Sequence, residues 1–335
     1  MRAVLVAAVA GLLAGCASGD GVAVVSTTSP AVAPSTTTPP APTSPPEVPS
    51  STPPTSVAPA CDPAVRRDVP YDALPGVDPA LLSLDVYPAP GACAGSPAPV
   101  MVWVHGGGWS IGDKARVGPK LDLFHSLGYA VVSVNYRLSP RPPKPDDPDR
   151  VMHPDHVRDV AHALAWVSGE ATGFGADAGR LVLVGHSAGA HLVSLVSTDP
   201  RHLAEAGAPD GLVDCTVALD TATFDLTRFA GGDIETPLLY TNAFGTDSAG
   251  LADASPITHV GDGRLPRFLV VTRGAAPRVA DATAFAAAVS AAGGEAELLV
   301  AEGYSHADVN QRLGEPGETV VTSPVTELAL ACAAP

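Results

Sequence analysis

Residues 181–190 read L-V-L-V-G-H-S-A-G-A, four apolar residues that break into Gly185-His186-Ser187-Ala188-Gly189. The first four residues have the composition of a buried strand, and Ala188 to Ser197 has that of a helix. A serine between strand and helix sits on a sharp turn that tolerates only small neighbours, and Gly185 and Gly189 supply them. The following helix points its first amides back at the serine, so the Ala188 amide is a candidate to receive negative charge there. Ser187 therefore reads as a nucleophile held at the end of a strand rather than as a packing residue.

Working outward, apolar β-branched runs recur at Val100–Val104, Ala130–Val134, Thr216–Leu219, Phe268–Val271 and Ala296–Val300. Helical patterns lie at His153–Val167 and Val279–Ala292, and no internal repeat is visible. Continuous apolar strands alternating with helices predict an α/β fold, a mostly parallel sheet covered on both faces. Ser83–Tyr87 alternates and is expected as an antiparallel edge strand. In such sheets reactive groups gather beyond the carboxyl ends of the strands. The unusual residues fall there: His105-Gly106-Gly107-Gly108-Trp109, the serine turn, Asp220, Arg273-Gly274 and Ser305-His306.

Three consecutive glycines leave backbone N–H groups bare, which makes Gly107 and Gly108 candidates for an oxyanion hole with Ala188. A phosphate-cradling loop is the alternative, but no G-K-[ST] ending follows. Serine needs a base at neutral pH, and His306, downstream in a loop after the last strand, has the right order. His105 is expected to order the glycine loop, and His186 and His191 to line the site or pack. His153 and His156 stand three apart beside Asp155, a spacing that suggests metal but lacks a third ligand. Capping and a solvated surface are the expectation there, and no metal site is expected.

At this point the chain resembles the α/β-hydrolase carboxylesterase and lipase group that carries H-G-G-G-W and G-H-S-A-G. The likeness runs from about Leu82 to Asn310 and includes Leu84-Asp85-Val86-Tyr87, His105–Lys114 and Asn135-Tyr136-Arg137-Leu138-Ser139-Pro140. The W-x-x-G-D-K ending and Ser305–Asn310 look closest to the feruloyl-esterase-like branch. The resemblance implies a mixed eight-stranded sheet, ester hydrolysis through an acyl-serine, and no cofactor. It also exposes a departure: the group carries H-G-x-x-D with the acid after the seventh strand, where this chain has Arg273-Gly274-Ala275-Ala276-Pro277, so Pro277 stands where the resemblance implies the acid. Asp220, at the preceding strand end, is the favoured replacement, with Asp281, Asp225 and Glu302 as competitors, or a dyad that works without an acid. Arg273 and Arg278 have three readings: steadying a carboxylate, binding an acidic substrate group, or plain surface charge.

The segment ahead of the domain has its own signature. Met1-Arg2, the apolar run Ala3–Leu12 and Leu13-Ala14-Gly15-Cys16 read as a signal peptide over residues 1–15. The L-A-G-C ending resembles a bacterial lipobox, which implies lipidation of Cys16 and anchoring to the outer face of the cell membrane. Residues 16–60 are rich in Ser, Thr and Pro and form an expected disordered tether before the catalytic domain at 61–335. A net charge of −16 excludes a nucleic-acid partner. Cys61, Cys93, Cys215 and Cys332 in an exported chain suggest disulfides. Three pairings are possible, of which Cys61–Cys93 and Cys215–Cys332 are expected from their positions. The composite expectation is a serine hydrolase of small or medium esters with a short cap at Phe224–Pro256. Amidase, peptidase or acyl-transfer chemistry and an idle binding protein are the alternatives.

Overall fold

The computed structural model describes residues 61–230 and 237–334. The expected leader, Cys16 and tether lie outside the described residues, as does part of the cap segment. The strands are β1 (Arg66–Pro70), β2 (Ser83–Tyr87), β3 (Ala98–Val104), β4 (Ala130–Val134), β5 (Ala176–His186), β6 (Cys215–Leu219), β7 (Arg267–Thr272) and β8 (Ala296–Val300). They form one eight-stranded sheet in the order β1-β2-β4-β3-β5-β6-β7-β8, antiparallel at β1–β2–β4 and parallel beyond. This is the mixed sheet of the α/β-hydrolase fold.

Side chains alternate along the buried strands, so each strand feeds two cores. Val100, Val102 and Val104 of β3 face α2 (Asp155–Glu170) and α3 (Ala188–Thr198). Met101 and Trp103 face α1 (Lys120–Ser126), α8 (His306–Gln311) and α9 (Thr322–Ala333). At the far end Phe268 and Val270 pack with Phe285 of α7 (Ala276–Ala291) on the first face. Among the described residues three further helices are α4 (Pro200–Glu205), α5 (Leu238–Phe244) and α6 (Ser248–Asp253).

Two expectations are corrected here. Ser83–Tyr87 is antiparallel but not the edge: β1 covers it, and all five of its residues are buried. The true edge, R-R-D-V-P, is charged and ends in proline, which blunts further strand pairing. His153 and His156 are not a solvated surface. His156 is fully buried against the sheet side of α2 and shares a hydrogen bond with Ser139 Oγ at 3.0 Å. Its burial lowers the imidazole to about 3, so it is neutral at ordinary pH.

Both disulfides pair as expected, Cys61 with Cys93 and Cys215 with Cys332. The second ties the start of β6 to α9 across 117 residues. No helix among the described residues is long and apolar enough to cross a membrane.

The sheet order reverses between β3 and β5, because the chain steps from β3 out to β4 and then returns to the other side of β3. Crevices open at such switch points. The register brings the strand ends level: Val104 pairs with Gly185, His186 with Leu219, and Leu219 with Val271. The glycine loop, the serine turn, Asp220 and Arg273 thus leave the sheet side by side.

Candidate active site

Ser187 has φ 56° and ψ −117°, a conformation that L-residues rarely adopt. It is held there by its own N–H, which donates to Leu219 O at 2.9 Å, and by its carbonyl, which accepts from His191 N at 3.1 Å. Gly189 packs against the end of β3 so closely that a Cβ would lie 2.1 Å from Val104 O. Any side chain at 189 would push the turn off the sheet, which is the physical reason for the small neighbour.

His306 is the first residue of α8, whose N-cap Ser305 forms a reciprocal capping box with Asp308. The cap fixes where the helix starts and so where the imidazole points. Its Nε2 lies 2.9 Å from Ser187 Oγ, and its Nδ1 lies 2.6 Å from Asp220 Oδ2. A carboxylate can only accept, so Nδ1 carries the proton and the Nε2 lone pair faces the serine hydroxyl. His186 adds a support that the sequence did not reveal: its Nε2–H donates to the His306 carbonyl at 2.9 Å. Burial, with His306 nearby, lowers the His186 imidazole to about 3, so it stays a neutral donor.

Asp220 follows β6 with φ 53°, and its side chain is fully buried. Beyond His306, its carboxylate accepts from Arg273 Nε at 2.8 Å and Arg278 Nη1 at 3.2 Å. Burial pushes the carboxyl up, but the hydrogen bonds from His306 and Arg273 and the charge of Arg278 carry it below the ordinary carboxylate value. Of the three readings for the arginines, the geometry matches the first, because both clamp a carboxylate.

The competing acids point elsewhere. Asp281 accepts from the backbone N–H groups of Phe224 and Asp225 at 3.2 and 3.3 Å and pairs with Arg228, which ties α7 to the cap segment. Asp225 accepts from Thr227 N, and Glu302 is exposed. Pro277 sits in the first turn of α7, also exposed.

Gly107 has φ 120°, and a Cβ there would fall 1.9 Å from Ile111 O, so the loop closes only on glycine. Ser110 N and Ile111 N donate back to Gly107 O, which turns the loop's own amides outward. Among the described residues no acceptor meets the N–H groups of Gly107, Gly108 or Ala188, and all three residues border the cavities beside Ser187. His105 orders this loop as expected: its ring stacks on Tyr136 at 4.5 Å, and its Nδ1 lies 2.8 Å from Gly106 O.

Two cavities meet at Gly108, Ser187, Leu239 and His306. One, of about 720 Å³, runs past Ile111, Arg116 and Asn310. The other, of about 190 Å³, is bounded by Trp109, Thr221, Thr223 and Tyr240. Leu239 and Tyr240 belong to α5, so the expected cap segment does overhang the serine.

A family model described as BD-FAE matches residues 84–279, which include Ser187 and Asp220 but stop short of His306. The probable carboxylic ester hydrolase LipM of Mycobacterium tuberculosis is 32% identical over 197 residues, covering 56% of this chain and 43% of that protein. The esterase LipQ of the same organism is 31% identical over 243 residues, covering 69% and 54%. The chain thus spans about half the length of the curated relatives it matches. A truncated carbohydrate esterase from gut microbiota superposes with a TM-score of 0.63 at 17% identity, over 82% of this chain and 99% of that one. Esterase B from Lactobacillus rhamnosis superposes at 0.64 with 20% identity, over 80% and 87%. These two establish the α/β-hydrolase fold. Because the BD-FAE match spans more than half of the 335 residues, the chain belongs to the BD-FAE family.

Proposed function

We propose that the protein is a carboxylic ester hydrolase that works through an acyl-serine intermediate. The observation that carries this reading is the continuous hydrogen-bonded line from Ser187 Oγ through His306 to Asp220. The descriptions of LipM as a probable carboxylic ester hydrolase and of LipQ as an esterase support it.

Ser187 attacks the ester carbonyl while His306 Nε2 takes its proton, and the amides of Gly107, Gly108 and Ala188 receive the charge that develops on oxygen. Each such donor stabilises the transition state by roughly 3 kcal/mol. His306 returns the proton to the leaving alcohol, and water, deprotonated by the same imidazole, releases the acid. Asp220 holds the imidazole tautomer and stabilises the imidazolium as it forms. The smaller cavity suits a small or medium acyl or aryl-acyl group, and the larger one takes the alcohol portion.

A fluorophosphonate probe should label the wild type and leave Ser187→Ala unlabelled. On p-nitrophenyl esters of graded chain length, Ser187→Ala should lose about 10⁴-fold or more in kcat. An unlabelled wild type sinks the nucleophile assignment and points to a binding role. Faster turnover of amides, or of acyl transfer to an added alcohol, than of ester hydrolysis replaces the reaction class.

We further propose that the chain is exported and lipid-anchored through Cys16 at the outer face of the membrane. The two disulfides support an oxidising compartment. Cys16→Ser should move the protein from the membrane fraction to the soluble one; retention in the membrane overturns the anchor.

A further inference from the structure

Away from the serine, three aspartates and three histidines converge where the end of the cap segment meets the start of α4. Ligand atoms of Asp199, Asp253 and His259 all lie within 4.8 Å of one another. Asp199 is the N-cap of α4, Asp253 closes α6, and His259 ends a 3₁₀ turn at Pro256–His259. Their spread along the sequence is why no motif announces them.

The cluster crowds acceptor atoms around one small volume. His259 Nε2–H donates to the backbone carbonyl of Asp253 at 2.9 Å, so both ring nitrogens of His259 face acceptor oxygens. Its Nδ1 lies 3.2 Å from Asp262 Oδ2, a carboxylate oxygen that can only accept, and 3.8 Å from Asp199 Oδ2. Acceptors turned toward one another need either a proton or a metal between them. His202 is a second, independent sign. Its side chain is only 6% exposed, its Nε2 lies 3.3 Å from Asp199 Oδ2, and neither ring nitrogen has a hydrogen-bond partner.

A cationic atom already stands at the centre. Arg201 Nη2 lies 2.6 Å from Asp199 Oδ2 and 2.7 Å from Asp253 Oδ1. Arg201 grips the buried Asp199 carboxylate through both oxygens, while its own side chain is more than half exposed and free to swing out into solvent when another cation takes its place. Outside the cluster, His153 Nε2 lies 2.9 Å from Asp253 Oδ2, the kind of hydrogen bond that orients a ligating carboxylate.

We propose that Asp199, Asp253 and His259, with His202 as fourth donor, bind one divalent zinc-type ion that displaces the Arg201 guanidinium. Two carboxylates and two imidazoles form a four-donor nitrogen and oxygen set suited to tetrahedral zinc rather than to calcium or magnesium. The ion fastens the cap segment to α4, and its role is to stabilise rather than to react.

Zinc titration of the chelator-dialysed full chain, followed by calorimetry and thermal unfolding, tests this without reference to hydrolysis. One ion should bind per chain, and saturating zinc should raise Tm by about 5 °C. His259→Gln should weaken binding at least about tenfold. Arg201→Gln, which removes only the exposed competitor, should tighten it several-fold, so a folding defect in the first variant leaves the second to decide. Ser187→Ala should bind zinc as the wild type does, which separates this site from the proposed reaction. The site is overturned if the wild type binds no zinc, if His259→Gln binds it unchanged, or if Arg201→Gln binds it more weakly. Binding of calcium or magnesium in preference to zinc overturns the metal assignment.

Discussion

The loops after β6 and β7 lie side by side and divide the work differently from what the sequence resemblance implies. In the related group the loop after the seventh strand brings the acid. Here that loop brings Arg273 and Arg278, and the carboxylate they clamp, Asp220, comes from the neighbouring loop. The difference teaches that the requirement is a buried negative charge at His306 Nδ1, not a particular strand. The register places Leu219 beside Val271, so Asp220 leaves β6 directly next to the loop that follows β7.

The largest expected effect breaks this comparison outright. Asp220→Asn should lower kcat by about 10³ to 10⁴-fold, because an amide no longer fixes the imidazole tautomer. Asp281→Asn should leave kcat within a few-fold and lower Tm instead, since its carboxylate anchors the Phe224 and Asp225 amides. Adding Pro277→Asp to Asp220→Asn should restore nothing, because position 277 faces solvent in the first turn of α7. Steady-state kinetics of the three variants decide it: a collapse in Asp281→Asn, or recovery in the double variant, returns the acid to the seventh strand.

A smaller effect sharpens the role of the arginines. Arg273→Gln with Arg278→Gln should lower kcat about tenfold and raise the Asp220 carboxyl, since burial then meets less opposition. In the wild type the lowered carboxyl contributes stability that is present above the ordinary carboxylate value and lost as pH falls through its own lower value. The double variant loses that contribution. Urea midpoints should therefore separate as pH rises from about 3 to about 6, with the wild type gaining the advantage. Parallel curves refute the clamp.

Much of this arrangement was legible because it is local. A strand, a serine between small residues and a helix follow one another in ten residues, and H-G-G-G-W likewise sits directly at a strand end. His306 was legible by its order in the chain. Asp220 was legible only as the best of several carboxylates, because choosing it needs the alignment of β6 with β7. The clamp by both arginines, the His186 support and the edge strand β1 depend on contacts between distant segments. R-R-D-V-P has no apolar alternation to mark it, and its strand character comes from pairing with β2. The same holds for α5 and α6, only seven and six residues long and shaped by what they cover.

Three of the five non-glycine residues with positive φ among those described are Trp109, Ser187 and Asp220, each one to five residues past the end of a strand that opens on the cavity. Such backbones cost about 1 kcal/mol or more apiece. Glycine at 187 would relax the turn at no steric cost, so Ser187→Gly should unfold at a higher urea concentration while hydrolysing nothing. Mutational drift toward a sturdier chain and selection for the reaction pull this position in opposite directions, and a serine retained there marks which of the two prevailed.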